Sequence, residues 1–194
     1  MARARPSGLL CHGRARVRAR QGRWPDAQAL PFADDSADAV LALHMLYHVG
    51  DIKATTKEMA RVLRPGGILI ASTNGDTDKQ ELDQLWARAA GDVLGIPEGP
   101  ARVSLSSRFS LEKAPGYFGT AFEDIRVRKL PGTIELTDPA PIVAHLASYE
   151  AWADQWGVPF HENVSRAAEI AGATILAEGA FKIRCLGGVL ACRL

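Results

Sequence analysis

Asp26, His44 and His48 stand out for their chemistry. Asp26 is a carboxylate in "DAQALPFADDSADAV", a Pro-bearing stretch just upstream of an apolar run. On its own, an Asp in such a stretch is equally a routine turn residue. His44 and His48 are four residues apart, a spacing that could put two imidazoles on one helical face for a metal. No third ligand lies nearby and no H-E-x-x-H pattern exists, so no metal site is expected. Each histidine can equally be a satisfied structural side chain. Cys11, Cys185 and Cys192 show no C-x-x-C spacing. That speaks against a disulfide framework or zinc site, for a reducing, cytoplasmic setting, and for Cys185 and Cys192 as buried, inert thiols.

The elements that must position these residues follow from periodicity. "ADAVLAL", Ala37 to Leu43, reads as a strand covered on both faces. In "DIKATTKEMARVLRPGG", Ile52, Met59, Val62 and Leu63 share one helical face, with Asp51 as the N-cap. Pro65 disfavours helix at Arg64, Gly66-Gly67 supplies a turn, and "ILIAS", Ile68 to Ser72, is the next strand. Strand, helix and strand make a βαβ unit with a parallel crossover. A helix follows through Leu82, Leu85, Trp86, Ala89 and Val93. The stretch 91–121 is broken by Gly95, Pro97, Gly99, Pro100 and Pro115; it reads as a lid or as a plain surface excursion. "FEDIRVRKL" alternates as a half-exposed strand, Asp138-Pro139 starts a helix, and a weaker helix interrupted by Gly172 covers 162–176. Phe181 to Cys185 and Val189 to Arg193, joined at Gly187-Gly188, read as a terminal hairpin.

Three blocks together, "DAQALPFADDSADAV", "LHMLYHV" and "EMARVLRPGGILIAS", resemble the class I S-adenosylmethionine-dependent methyltransferases, in particular their type 11 methyltransferase domain. The resemblance is strong from Asp26 to Ser72 and loose from Phe122 to Leu194. It implies an α/β fold, a Rossmann-like doubly wound sheet, mostly parallel with a C-terminal antiparallel hairpin. In such a sheet ligands bind outside the carboxyl ends of the strands. The resemblance implies that the Asp26 carboxylate accepts from the exocyclic amine of adenine and that the Ala27 N–H donates to an adenine ring nitrogen. It also implies that the segment after the strand lines the methionine end of the cofactor, with His44 and Met45, and the substrate pocket, with Tyr47 and His48. The cofactor is S-adenosylmethionine and the partner a small-molecule methyl acceptor. Methyl transfer needs alignment above all. A base matters only if the acceptor arrives protonated, and His48 or Tyr47 could serve. The family's aromatic-Asp pair reads Ala37-Asp38 here, a departure that affects packing.

The family's first strand, G-x-G-x-G turn and second strand have no counterpart in this sequence; Gly8, Gly13 and Gly22 are wrongly spaced and follow no apolar strand. The sheet is therefore expected to be incomplete and its activity impaired. The alternative is an inactive methyltransferase-like remnant serving as a binding or interaction module. Self-association through exposed sheet faces is a further expectation. Residues 1–25 carry Arg3, Arg5, Arg14, Arg16, Arg18, Arg20 and Arg23 and read as an irregular leader, with the partial domain at 26–194. The 194 residues are 47% hydrophobic with net charge +1, which suits one globular domain and excludes a global field for nucleic acid. No apolar run reaches the roughly 18 residues that span a bilayer.

Overall fold

The computed structural model describes residues 9–12, 14–15, 26–102 and 105–194. The chain runs β1 (Leu9–His12), β2 (Arg14–Ala15), β3 (Ala37–Leu43), α1 (Ile52–Val62), β4 (Leu63–Asn74), α2 (Gln80–Leu94), α3 (Ala114–Phe118), β5 (Asp124–Leu136), α4 (Ala140–Ala147), α5 (Phe160–Glu178) and β6 (Phe181–Arg193). One mixed sheet has the order β2-β1-β3-β4-β6-β5. The expected α/β sheet is present: β1, β3 and β4 are mutually parallel, and β6 lies antiparallel to β4.

The described residues form two compact units: those within 1–76, 105–130 and 187–194, and those within 77–104 and 131–186. In the first unit the apolar runs work as their composition demands. Val40, Ala42, Leu69, Ala71, Leu190 and Cys192 are fully buried strand residues, and Met59, Val62 and Leu63 are buried with them. Asp51 caps α1, its Oδ1 accepting from Ala54 N at 3.0 Å. The helix then passes directly into β4. Pairing with β3 shifts register between Ala37↔Leu63 and Ala39↔Ile68, and the Arg-Pro-Gly-Gly residues occupy that irregularity. Gly66 has φ +78°, a conformation that favours glycine.

The second unit has its own core, built from Leu82, Leu85, Trp86 and Ala89 of α2 against Ile142, Leu146, Trp156, Phe160 and Ala167. The Asp138-Pro139 start is present, with Asp138 Oδ1 accepting from Ala140 N at 2.9 Å. Trp86 and Trp156 meet edge to face at 4.3 Å between ring centroids.

Four expectations change. Residues 1–25 are not an irregular leader throughout, because Leu9–His12 pairs parallel with Val40–Leu43. Three apolar residues suffice for a short strand of a parallel sheet, and they stand among arginines that hide the pattern. The terminal hairpin is replaced by one continuous strand, β6, that runs through Gly187-Gly188. A Cβ at Gly188 would lie 2.7 Å from Leu111 Cδ2 and 2.8 Å from the Arg128 carbonyl, so glycine serves close approach there and not a turn. α5 is unbroken across Gly172. The strand after Phe122 extends to Leu136 and is exposed along most of its length rather than on alternate residues.

Candidate functional site

The turn at Asp26 is held by its own side chains. Asp26 Oδ1 accepts from Gln28 N at 2.9 Å, and Gln28 Nε2 donates to Oδ1 and Oδ2 at 3.3 and 3.2 Å. The other end of the Gln28 amide makes a separate bond: Oε1 accepts from Asp51 N at 2.7 Å. This ties the Asp26 turn to the N-cap of α1, eight residues beyond the carboxyl end of β3. Asp26 is exposed and the Ala27 side chain is buried. A carboxylate offers about four lone-pair sites, so Oδ2 can still accept a further donor such as a ring amine.

A second set of bonds fixes the turn that follows. Glu58 Oε1 accepts from Leu30 N at 2.9 Å. Arg61 donates to both Glu58 oxygens, at 2.9 and 2.6 Å, and to the carbonyls of Phe32 and Leu30 at 2.9 and 3.2 Å. It also reaches Asp34 Oδ1 at 2.5 Å. The Arg61 hydrogen bond holds the Glu58 carboxyl below its ordinary range despite partial burial. Two of the three sequence blocks therefore touch: "ALPFAD" is clamped by the Glu and Arg of "EMAR". Ser36 Oγ donates to Ala33 O at 2.5 Å, a local side-chain to backbone bond just before the strand, and Asp38 pairs with Arg64 at 2.6 Å.

At the end of β3 the chain turns through His44, which has φ +47° and donates its N–H to Ser72 O at 3.0 Å. A non-glycine residue in the left-handed region is uncommon, and such residues cluster at ligand sites. Met45 is 7% exposed. His44 and His48 are exposed, Tyr47 is half-buried, and the Tyr47 and His48 rings lie 4.5 Å apart between centroids. The 3₁₀ turn Leu46–His48 separates the two histidines from any shared α-helical face. Among the described residues no group of three or more His, Cys, Asp or Glu is placed to hold a metal.

Beyond this turn an open cleft of about 490 Å³ is lined by residues 50–53 and by Ser107, Arg108, Lys113 and Tyr117. Arg108 Nη2 donates to Gly50 O at 2.9 Å. Lys113 donates to Ser107 O and lies 3.7 Å from Asp76. The second unit holds a polar cluster of its own. The Arg102 side chain, 8% exposed, bonds Asp83 at 2.9 and 2.8 Å, contacts His145 Nε2 at 3.2 Å and stacks 5.1 Å from the Tyr149 ring. Burial, then the Arg102 charge, lowers the His145 pKa. Gln28 and Arg61 lie inside two of the quoted blocks and Arg108 in none, but each acts through a partner more than twenty residues away, which no local pattern marks.

In an open α/β sheet, ligands bind outside the carboxyl ends of the strands. Residues 11–71 match the family model described as a methyltransferase domain. The match begins in β1, upstream of Asp26. A demethylmenaquinone methyltransferase of Mycolicibacterium paratuberculosis is 48% identical over 142 residues, 66% of this chain and 59% of that protein. The one from Corynebacterium glutamicum is 40% identical over 81 residues, 38% of this chain and 35% of that protein. The chain spans less than two thirds of the length of these curated relatives. Among solved structures, the YcgJ protein of Bacillus subtilis aligns at TM-score 0.45 and 17% identity over 86% of this chain and 68% of that one, a loose backbone likeness. Among the described residues no helix is long and apolar enough to cross a membrane.

Proposed function

We propose that this chain takes part in transfer of a methyl group from S-adenosylmethionine to a small-molecule acceptor by in-line displacement. The observation that carries this reading is the Asp26–Gln28–Asp51 bridge beside the carboxyl end of β3, within a segment that matches the methyltransferase domain. Bound S-adenosylmethionine supplies an electrophilic methyl on sulfur. The residues of this chain orient it. Asp26 Oδ2 would accept a hydrogen bond from the adenine amine, and the Ala27 N–H would donate to a ring nitrogen. His44 and Met45 border the methionine end, while Tyr47 and His48 border the acceptor. An acceptor that arrives protonated would give its proton to His48, whose ring is exposed beside Tyr47. The lid role of 91–121 belongs to this proposal, as does a cytoplasmic setting, which the unbridged Cys185 and Cys192 support.

Calorimetric titration of the chain with S-adenosylhomocysteine tests the reading. Binding is expected, and Asp26→Ala should weaken it by about 1–3 kcal/mol, the usual cost of removing a polar partner. An unchanged dissociation constant would reduce Asp26 to a turn residue. Failure of a folded sample to bind at all would leave the interaction module as the reading of this chain.

A further inference from the structure

The cleft between the start of α1 and the segment 107–117 carries an excess of positive charge. Lys53, Arg108 and Lys113 line it, and Asp51 is its one acidic lining residue. The Asp51 carboxylate is engaged as the N-cap of α1. Arg108 is bonded to a backbone carbonyl, which holds the guanidinium in place without cancelling its charge. Lys113 likewise reaches the Ser107 carbonyl, and its Asp76 neighbour at 3.7 Å is a long contact between side chains 47% and 43% exposed. Exposed pairs of that kind contribute little. Lys53 makes no ion pair among the described residues. Three cations in one concavity raise the local concentration of anions beyond what the same charges do on a convex surface. Tyr117, half-buried on the far wall, adds an aromatic face and a hydroxyl donor.

We propose that this cleft holds an oxyanion, a carboxylate or a phosphate, and that the anion is the acidic group of the methyl acceptor. The second part rests on the methyltransferase reading; the first does not. Arg108 presents a planar fork for two oxygens, and Lys53 and Lys113 act as point charges at either side. The site then selects acceptors that carry an acid and disfavours neutral ones.

The test uses the full chain at low ionic strength, titrated separately with inorganic phosphate and with malonate. Calorimetry gives affinity, and amide chemical shifts give location. The expected result is saturable binding with shifts concentrated in 50–53 and 107–117, weakening as salt rises. K53Q/K113Q should lose about tenfold in affinity, and so, separately, should R108Q. The lysine pair keeps the test sound if loss of the Arg108–Gly50 bond harms folding, and thermal melts check each variant. Absence of saturable binding by either anion, or equal binding by the folded variants, overturns the proposal. Titration with S-adenosylhomocysteine in the presence of saturating malonate separates the sources. Unchanged affinity excludes the carboxylate of the cofactor as the occupant and supports the acceptor assignment. Competition assigns the cleft to the carboxylate of the cofactor and overturns the acceptor assignment. Anion binding without any S-adenosylhomocysteine binding would sink the methyltransferase reading and leave the oxyanion site standing.

Discussion

Gln28 Oε1 sits 2.7 Å from the backbone nitrogen of Asp51, while Nε2 of the same amide faces the Asp26 carboxylate. The amide has two different ends, and both are used in the only orientation that satisfies them. Gln28→Glu keeps the acceptor for Asp51 but sets a second carboxylate against Asp26. The expected result is about 1 kcal/mol lost in unfolding free energy, read by urea titration, with S-adenosylhomocysteine bound several-fold more weakly. Wild-type values in both measurements would show that the bridge does not position the turn.

Glu58 and Arg61 give a pH dependence with a definite sign. The folded-state pKa of Glu58 lies below its ordinary 4.5, chiefly because Arg61 bonds the ionised form. Its contribution is therefore complete above 4.5 and disappears as pH falls through the lower folded value. Melting temperature should drop in acid more steeply for the wild type than for Glu58→Gln, which lacks the titrating group. At neutral pH the variant should be less stable by about 1–3 kcal/mol, since charge-assisted bonds to Arg61 are lost. Parallel acid limbs for the two proteins would remove the clamp from the stability of this fold.

The legible parts of this protein were those with local causes. Asp51 announces an N-cap because the helix periodicity begins one residue later, and the β3–α1–β4 crossover follows from two apolar runs around it. β1 was hidden because Leu9, Leu10 and Cys11 form a run shorter than an ordinary strand signal. Gly187-Gly188 carries the local signature of a turn; only Leu111 and the Arg128 carbonyl, far away in sequence, reveal the crowding that requires it. The turn at Asp26 was legible through its local composition, and its side chain bonds Gln28 two residues on. Gln28 and Arg61 were not, because their roles exist only when residues 23 and 31 positions apart are brought together.

Cys192 should be inert. It is fully buried in β6, and burial, with a smaller effect from the Asp124 charge, pushes its thiol pKa up to about 12. The thiolate is the nucleophile, so almost none is present at neutral pH. Cys185 is only partly buried. Mass spectrometry after brief iodoacetamide treatment of the native protein should find Cys185 modified ahead of Cys192. Modification of Cys192 at the rate of an exposed thiol would mean that β6 is not seated on β4.

Two glycines should respond in opposite directions to alanine. At Gly188 the new Cβ falls 2.8 Å from the Arg128 carbonyl, a backbone atom that cannot swing aside. Gly188→Ala should cost about 1–3 kcal/mol, as overpacking does. Gly172 lies inside α5, and an alanine methyl there would meet nothing within 4 Å. Gly172→Ala should raise stability by about 0.5–1 kcal/mol through helix propensity. Denaturant midpoints of the two variants decide both, and a neutral Gly188→Ala would show that β5 and β6 are not held at this spacing.

Asn163 offers the clearest stabilising substitution. It lies on α5 one turn beyond Phe160, is 0% exposed, and neither Nδ2 nor Oδ1 has a protein partner among the described residues. The hydrophobic core of the same unit includes Trp86, Trp156, Phe160 and Val164, and the Trp86 and Trp156 ring N–H groups likewise have no protein partner among the described residues. A buried amide without partners loses its hydration and regains nothing, at about 1–3 kcal/mol per unsatisfied group. Leucine is of similar length and has no polar atom. Asn163→Leu should therefore raise the unfolding free energy by about 1–2 kcal/mol, measured by denaturant titration. Destabilisation by Leu, with rescue by Gln or Asp, would instead reveal that the amide is paired in solution and that the polar group is needed where it stands.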